Sequence, residues 1–240
     1  MAELLCFGSG SSGNAYAIKC EQETLLLELG MSWKDIIKGL NYEFEPIVGA
    51  IVSHKHIDHA NKETIKRVLK YGLPIYSCSE TCDEYIYVNL MEKRKMVNMG
   101  NFKIQPIPLQ HSCECYGFLI EHKEFGRLVF ATDCCEFPYK IKNINHWLIE
   151  ANYSEECLID NLCNNEEMRS RHEYHLEFND TLDALKMNYC EDLQNIVLLH
   201  LSNGNSNSSE FVKKVKKELS FDNVFVAERN LLLPLHKEEF

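Results

Sequence analysis

Three features are missing from this 240-residue sequence, and each absence excludes a class of protein. No apolar run approaches the roughly 18 residues needed to cross a bilayer, so we predict no membrane anchor. The first residues lack the basic and long apolar regions of a signal peptide. A surplus of basic residues is also missing: the formal net charge is −11, which argues against a broad basic surface that wraps duplex DNA.

Cysteine is plentiful, with 11 residues, but the spacing of a zinc knuckle or a disulfide framework is missing. Cys134 and Cys135 are adjacent, and Cys113 and Cys115 are separated by one residue. No pair has the Cys-x-x-Cys spacing. We therefore predict a reduced, cytoplasmic protein whose thiols are mostly structural.

The length and composition are those of an ordinary globular protein, with 45% apolar and 25% charged residues. We find no internal repeat, low-complexity tail or linker, so we predict one domain over residues 1–240. The acidic balance does not exclude a nucleic-acid substrate, because bound divalent metals are local positive charges that can receive phosphates.

The most informative stretch is a cluster of metal-ligand residues between a predicted strand and a predicted helix. The apolar run Val48–Val52 predicts a buried strand, and the spacing of apolar residues in Ala60–Tyr71 predicts an amphipathic helix. The loop between them contains His54, His56, Asp58 and His59. Because imidazole and carboxylate are standard ligands for zinc and similar ions, this loop predicts a metal site.

Further candidate ligands follow other predicted strands, Phe102–Pro108, Arg127–Phe130 and Ile196–His200. Loops at one edge of the sheets of an α/β fold commonly converge on a ligand site. We therefore expect two neighbouring metal sites with a shared carboxylate. The first is predicted to use His54, His56 and His111, the second Asp58, His59 and His200, and Asp133 is predicted to bridge them.

Two features near the start of the chain leave alternatives open. The Gly8–Asn14 loop is either a plain turn or a nest of backbone N–H groups and hydroxyls that holds a phosphate. Glu28, at the end of the predicted strand Thr24–Leu29, either orients a metal ligand or is an isolated acid beside a turn. The histidines outside the cluster lie among polar residues and are predicted to be at the surface or beside ligands: His122, His146, His172 and His236.

The remaining segments alternate between strands and helices. We predict helices at Ser79–Leu90, Leu176–Asn188 and Glu210–Leu219, and a strand at Trp147–Glu150. Val224–Leu233 is predicted to be the last strand or a hairpin. The charged region 160–174 is predicted to be a loop or an irregular helix.

The cluster His54-Lys-His56-Ile-Asp58-His59, followed by His111, Asp133 and His200, resembles the metallo-β-lactamase superfamily of hydrolases. The resemblance covers nearly the whole chain. It implies an α/β fold, a four-layer αβ/βα sandwich of two mixed sheets with helices outside. The usual first motif of the family has Asp where this chain has Glu28, which changes the surroundings of the ligands and not the ligands themselves.

Finer motifs resemble the WalJ/YycJ-like branch, relatives of tRNase Z and RNase J that are associated with phosphodiester cleavage. These motifs are the Gly8–Asn14 loop, Leu29-Gly30-Met31-Ser32 and His200-Leu201-Ser202. Glu150-Ala-Asn is similar to the Glu-Ala-Thr element of tRNase Z, and His175 resembles the histidine that pairs with that acid, although its flanking residues differ from the usual form.

The resemblance implies two divalent metal ions, zinc or manganese, that hold a bridging water of lowered pKa. The resulting hydroxide is expected to attack phosphorus, with Asp58 orienting it. His175, held by Glu150, is expected to protonate the departing oxygen. Phosphate oxygens are expected to meet Ser11, Ser12, Asn14 and Ser202.

Several functions stay open at this stage. A nuclease acting on DNA or RNA competes with a phosphodiesterase of small cyclic nucleotides, so the predicted partner is a single-stranded nucleic acid or a cyclic nucleotide; a homodimer also stays open. A thioester or lactone hydrolase shares all seven ligands. A metallo-oxidoreductase of this fold is expected to carry Glu in place of His56, and a non-catalytic binding module does not need a complete dinuclear site.

Overall fold

The computed structural model describes residues 1–44, 46–161 and 173–237. Its strands and helices alternate along the chain as the sequence predicts. The strands are β1 Ala2–Gly8, β2 Ala15–Lys19, β3 Thr24–Leu27, β4 Ile47–Ile51, β5 Ile75–Ser77, β6 Asn89–Leu90, β7 Val97–Met99, β8 Phe102–Leu109, β9 Cys115–His122, β10 Gly126–Ala131, β11 His146–Glu150, β12 Asn195–Leu199, β13 Val224–Val226 and β14 Leu232–Leu235. The helices are α1 Trp33–Gly39, α2 Lys62–Lys70, α3 Ser79–Glu84, α4 Glu155–Asn161, α5 Phe178–Met187 and α6 Ser208–Leu219.

The strands form two seven-stranded sheets, with the orders β14-β1-β2-β3-β4-β5-β6 and β13-β12-β11-β10-β9-β8-β7. Each sheet is mixed. In the first sheet β1, β2 and β3 pair antiparallel, and β3 through β6 pair parallel. In the second sheet β7 through β10 pair antiparallel, and β10 through β13 pair parallel.

Alternating side chains of the strands separate the cores of the molecule. In β3, Leu25 and Leu27 face a core between the two sheets, whereas Leu26 faces helices α1 and α2. In β10, Phe130 faces the same central core, whereas Val129 packs in the core that includes buried residues of α5 and α6. Because successive side chains of a strand point to opposite faces, each sheet is covered on both sides. The result is the predicted sandwich of two mixed sheets with helices outside.

Two predicted elements are wrong in extent. The helix predicted at Ser79–Leu90 ends at Glu84, and its last residues form β6 instead. The chain turns at Tyr87, whose φ is 77°, and the Tyr85 hydroxyl donates a hydrogen bond to the Ala60 carbonyl at 2.8 Å. These tertiary contacts override the local helical pattern.

The segment Val224–Leu233 is neither one strand nor a hairpin. β13 pairs parallel with β12 in the second sheet, whereas β14 pairs antiparallel with β1 in the first. A turn closed by the Leu231 N–H donating to the Glu228 carbonyl carries the chain between the sheets. Most of the predicted loop at 160–174 lies outside the described residues.

Two of the histidines predicted to be at the surface or beside ligands are buried. His146 is fully buried and His122 is 5% exposed. Polar neighbours in sequence were misleading, because both side chains find polar partners inside the molecule. His172 lies outside the described residues. None of the helices in the described ranges has the length and apolarity needed to cross a membrane.

Candidate metal centre

Strands from both sheets end at one edge of the sandwich and deliver the predicted ligands there. His54 follows β4, His111 follows β8, Asp133 follows β10 and His200 follows β12. Three residues at these strand ends have left-handed backbones: Glu28 (φ 61°), Asp133 (φ 53°) and His200 (φ 52°). A left-handed non-glycine residue costs about 1–2 kcal/mol, so this edge carries backbone strain that the surrounding structure must support.

The three histidines predicted for the first metal come together. Nε2 of His54 lies 3.0 Å from Nδ1 of His56, which lies 3.2 Å from Nε2 of His111. The other nitrogen of His111 faces the Tyr174 carbonyl at 3.0 Å and must donate its hydrogen there. That tautomer leaves Nε2 with a free electron pair directed at its partners, as metal binding requires.

The residues predicted for the second metal form an adjoining group. Oδ2 of Asp58 lies 3.5 Å from Nε2 of His59 and 3.7 Å from Nε2 of His200. Oδ2 of Asp133 lies 3.2 Å from Nε2 of His59 and 3.7 Å from Nε2 of His54. Asp133 therefore lies between the two groups, where a shared ligand is needed.

His200 gives a direct test of whether a metal fits. Its Nδ1 lies 3.2 Å from the Glu150 carboxylate, which can accept the hydrogen of that nitrogen. Its Nε2 is buried, and among the described residues it has no hydrogen-bonding partner. An unsatisfied buried nitrogen is costly, and a metal ion is one partner that satisfies it. The seven predicted donors lie in groups that could hold divalent ions: His54, His56, Asp58, His59, His111, Asp133 and His200. The thiol of Cys113 lies in the same group as His54, His56 and His111.

The electrostatics of the centre favour cations. Burial lowers the pKa of His200, but Asp133, Asp58 and Glu150 reverse this and raise it to about 10. Burial likewise opposes ionisation of Asp133, yet His200 and His59 hold its pKa well below the ordinary value. The carboxylates therefore stay ionised at neutral pH and stabilise positive charge.

His54 differs from His200, because burial and the neighbouring His59 hold its pKa well below the ordinary value. Its imidazole is therefore neutral at neutral pH, the form that binds a metal. Its Nδ1 lies 2.8 Å from the Ser53 hydroxyl, which fixes the ring with Nε2 toward His56.

Glu28 has the contacts of a residue that orients a ligand. Both of its carboxylate oxygens accept from the Ser53 N–H at 3.2 Å, and Oε2 lies 3.5 Å from Nδ1 of His59. The side chain is buried. A carboxylate on one ring nitrogen leaves the other nitrogen, Nε2, directed at Asp133.

The loop that carries the histidines is hydrogen-bonded to two other loops. The Asp58 carbonyl accepts from the Asn14 N–H at 2.7 Å, and the Gly30 N–H donates to the Asn14 carbonyl at 2.9 Å. A Cβ placed on Gly30 would lie 1.7 Å from the Asp58 carbonyl oxygen. Only glycine fits at this position, so the loops approach each other as closely as two backbones can.

Glu150 and His175 are paired beside the centre, as predicted. Nδ1 of His175 lies 2.7 Å from the Glu150 carboxylate, and the ring stacks on that of His200 with centroids 5.2 Å apart. Backbone N–H groups of Cys134 and Leu176 also donate to Glu150, at 3.0 and 3.2 Å. Burial lowers the pKa of His175, but Glu150 raises it to a net value above the ordinary one.

The predicted substrate contacts are placed in different surroundings. Ser11 and Ser12 are exposed, and Ser12 shares a cleft of about 430 Å³ with Ser202. Asn14 is fully buried, with its Nδ2 2.9 Å from Nε2 of His59 and its Oδ1 accepting from the Gly10 N–H. Its side chain therefore holds the first loop against the histidines and does not face solvent.

Sequence reasoning missed the contacts of two residues at the centre. Asn152 donates to the His200 carbonyl at 2.8 Å and so supports the left-handed turn there. Sγ of Cys113 lies 3.9 Å from Nε2 of His56. Its position two residues after His111 was a signal that could have identified it.

Comparison with known proteins gives a consistent result. A family model described as the beta-lactamase superfamily domain matches residues 35–200. The exodeoxyribonuclease WalJ of Streptococcus pneumoniae is 26% identical over 171 residues, and the exodeoxyribonuclease YycJ of Bacillus anthracis is 24% identical over 166 residues. Each match covers 62% of this chain, and the chain spans about 62% of the length of these relatives.

Among solved structures, the metallo-beta-lactamase fold protein YhfI of Bacillus subtilis superimposes with a TM-score of 0.74. The match covers 96% of this chain and 98% of that protein, at 16% sequence identity. At this identity the likeness shows that the two proteins share the fold.

Proposed function

Because this chain belongs to the beta-lactamase superfamily, we propose that it is a metal-dependent hydrolase that cleaves phosphodiester bonds of single-stranded DNA or RNA. The observation that carries the proposal is the position of Asp133, whose carboxylate lies within 4 Å of histidines from both ligand groups. The relatives named as exodeoxyribonucleases support a nucleic-acid substrate.

Two divalent ions would be held by this donor set: His54, His56 and His111 would bind one, Asp58, His59 and His200 the other, and Asp133 would be shared. When bound, the two ions lower the pKa of a water molecule and neutralise charge on the phosphate. Zinc suits the nitrogen-rich ligands, and manganese is accepted by the same donors.

The protein side chains would then orient the attacking water and donate a proton to the departing oxygen. The Asp58 side chain is 20% exposed, so it can orient the attacking water as well as bind a metal. His175 is held at Nδ1 by Glu150, which raises the pKa of the imidazole and so favours its protonated form. Its Nε2–H is then the proton donor for the departing oxygen, a role that typically changes rates by about 10²–10⁴-fold.

The Glu150–His175 pair favours a phosphodiester over a thioester or lactone, because an alkoxide leaving from phosphorus benefits from a positioned proton donor. A small cyclic nucleotide is the second candidate substrate. The net charge of −11 favours it, since a long polyanion experiences more repulsion than a single nucleotide does.

Hydrolysis of bis-p-nitrophenyl phosphate by the metal-loaded protein tests the proposal. We expect turnover that is lost in His56→Ala and kept in His236→Ala, which changes an exposed histidine far from the centre in sequence. Single-stranded DNA and cyclic nucleotides then distinguish the two substrate classes. Cleavage of a thioester control without cleavage of the phosphodiester would overturn the proposal.

A further inference from the structure

A second group of metal-ligand side chains lies at the opposite end of the sandwich. Cys20 follows β2, and His122 is the last residue of β9. The same two strands begin near the candidate metal centre, at Ala15 beside Asn14 and at Cys115 after His111. β9 has 8 residues, so the two groups are separated by about 25 Å.

The His122 ring is held in one orientation. Its Nε2 lies 3.0 Å from the Glu23 carboxylate, and Glu23 accepts from the Asn101 N–H at 2.9 Å and from the Asn101 side-chain amide at 2.8 Å. The Phe102 ring packs against it with centroids 4.8 Å apart. Because Glu23 accepts at Nε2, that nitrogen carries the hydrogen and Nδ1 is the acceptor, the arrangement found behind many metal-binding histidines. In the structure Nδ1 accepts from the Glu124 N–H at 3.3 Å.

Nδ1 of His122 faces two further donors. It lies 3.3 Å from the Cys20 Sγ, and donor atoms of Cys20, His122 and Glu124 all lie within 4.8 Å of one another. A thiol, an imidazole and a carboxylate together are ligands that zinc prefers. The Glu124 side chain is 17% exposed, so a cation can reach the group from solvent.

The charge of the group is not balanced by basic side chains. In the described part of the chain, no lysine or arginine forms an ion pair with Glu23 or Glu124; Glu124 lies 3.5 Å from the amino group of Met1, and Glu23 contacts His122. Burial raises the pKa of Cys20 to about 12, with Glu124 and Glu23 adding to the effect. A divalent cation would reverse this preference and stabilise the thiolate.

We propose that Cys20, His122 and Glu124 form a zinc site that joins the two sheets at the end away from the candidate metal centre. Cys20 belongs to the β2–β3 turn of the first sheet, and His122 and Glu124 to the β9–β10 turn of the second. The ion takes the electron pair of Nδ1 in place of the Glu124 N–H, together with one carboxylate oxygen and the thiolate sulfur, and the thiol proton passes to solvent. Cys20 and His122 are 102 residues apart in sequence, so the site links distant parts of the chain.

Cobalt titration of the full chain tests the ligand set, because a thiolate bound to Co²⁺ absorbs in the near ultraviolet. Cys20→Ser keeps a hydrogen-bonding side chain beside His122, and Cys113→Ser is the matched control near the candidate metal centre. We expect the absorption to be kept in Cys113→Ser and lost in Cys20→Ser/Cys113→Ser, with about one equivalent less metal bound. Absorption that survives in the double variant, or that is lost in Cys113→Ser alone, would overturn the proposal.

A stability measurement separates this site from the proposed dinuclear one. In a His56→Ala/Asp58→Ala background, zinc is expected to raise the midpoint of thermal unfolding, because an ion bound only by the folded state stabilises that state. Adding Glu124→Gln to that background should abolish the shift. An equal shift with and without Glu124→Gln, or none in either, contradicts the zinc site. Phosphodiesterase activity of Cys20→Ser should equal that of the parent, so failure here leaves the proposed function untouched.

Discussion

The two ends of the sandwich are built from the same strands but stabilised differently. At the candidate metal centre, Glu28, Asp133 and His200 all have left-handed backbones and several ionised groups face one another. At the other end, His122 and Glu23 are held by ordinary hydrogen bonds to an asparagine and its backbone. The comparison teaches that, of the two ends, the one where seven donors converge combines left-handed backbones with closely facing ionised groups, and the predictions below test this contrast.

Asp133→Asn should have the largest effect, because Asp133 contacts histidines of both ligand groups. We expect phosphodiesterase activity to fall by about a hundredfold or more, together with a loss of bound metal. Metal analysis and turnover of bis-p-nitrophenyl phosphate measure the two effects. Asp222→Asn, at an exposed position before β13, is the control. A variant that keeps both its metal and its activity would show that Asp133 is not a ligand.

His175→Ala is expected to lower turnover by about a hundredfold while leaving the metal content unchanged. The reason is that Nδ1 of His175 is paired with Glu150 and His175 is not one of the seven predicted ligands. Turnover of a substrate with a better leaving group should fall less, because such a group needs less protonation. Equal losses for good and poor leaving groups would remove the proton-donor role and leave His175 as a packing residue against His200.

Glu28→Asp restores the acid usual in the family but shortens a side chain that contacts both Ser53 and His59. We expect metal affinity to fall by about tenfold, since residues that orient a ligand typically contribute 10–100-fold. Competition with a chromogenic chelator measures it. If metal affinity rises instead, Glu28 orients His59 less well than Asp would, in spite of the left-handed backbone at position 28.

The smallest effect is expected for the stability change at His146, which lies at the amino end of β11, remote from the ligands. Burial lowers its pKa from 6.5 to about 4, so below pH 6.5 the unfolded chain binds a proton that the folded chain does not. This residue should therefore destabilise the fold by about 1 kcal/mol between pH 7 and pH 5.5. In urea unfolding, His146→Asn should have a lower free energy of unfolding than the parent at pH 7. Its free energy of unfolding should also fall less between pH 7 and pH 5.5. An unchanged decline would mean that other groups cause it.

The strand ends explain how much of the centre could be predicted. An apolar run followed by a ligand residue identified His111, Asp133 and His200, because a buried strand can only present such a residue where it leaves the sheet. The same logic could not separate β13 from β14, since both are short and the partner of each lies far away in sequence. The predicted single domain, the cytoplasmic location and the dimer stay predictions.

The Cys20–His122 group shows that pairings between distant parts of the chain cannot be predicted from neighbouring residues. His122 was predicted to be at the surface or beside ligands because its neighbours are polar, but it is buried by Phe102 and paired with Glu23, which lies 99 positions away. Nothing within a few residues of His122 predicts that pairing. Asn14 is the opposite case: its motif was correctly located, but its burial against His59 became visible only in three dimensions.

The close approach of Gly30 to Asp58 has a consequence for how the protein can change over evolution. Three loops that share backbone hydrogen bonds cannot move independently, so a change in any one of them disturbs the donors on all. New substrate preferences can arise most readily in segments outside this arrangement, such as the residues around the half-buried Ser202. The protein can thus acquire a different specificity while inheriting its chemistry unchanged.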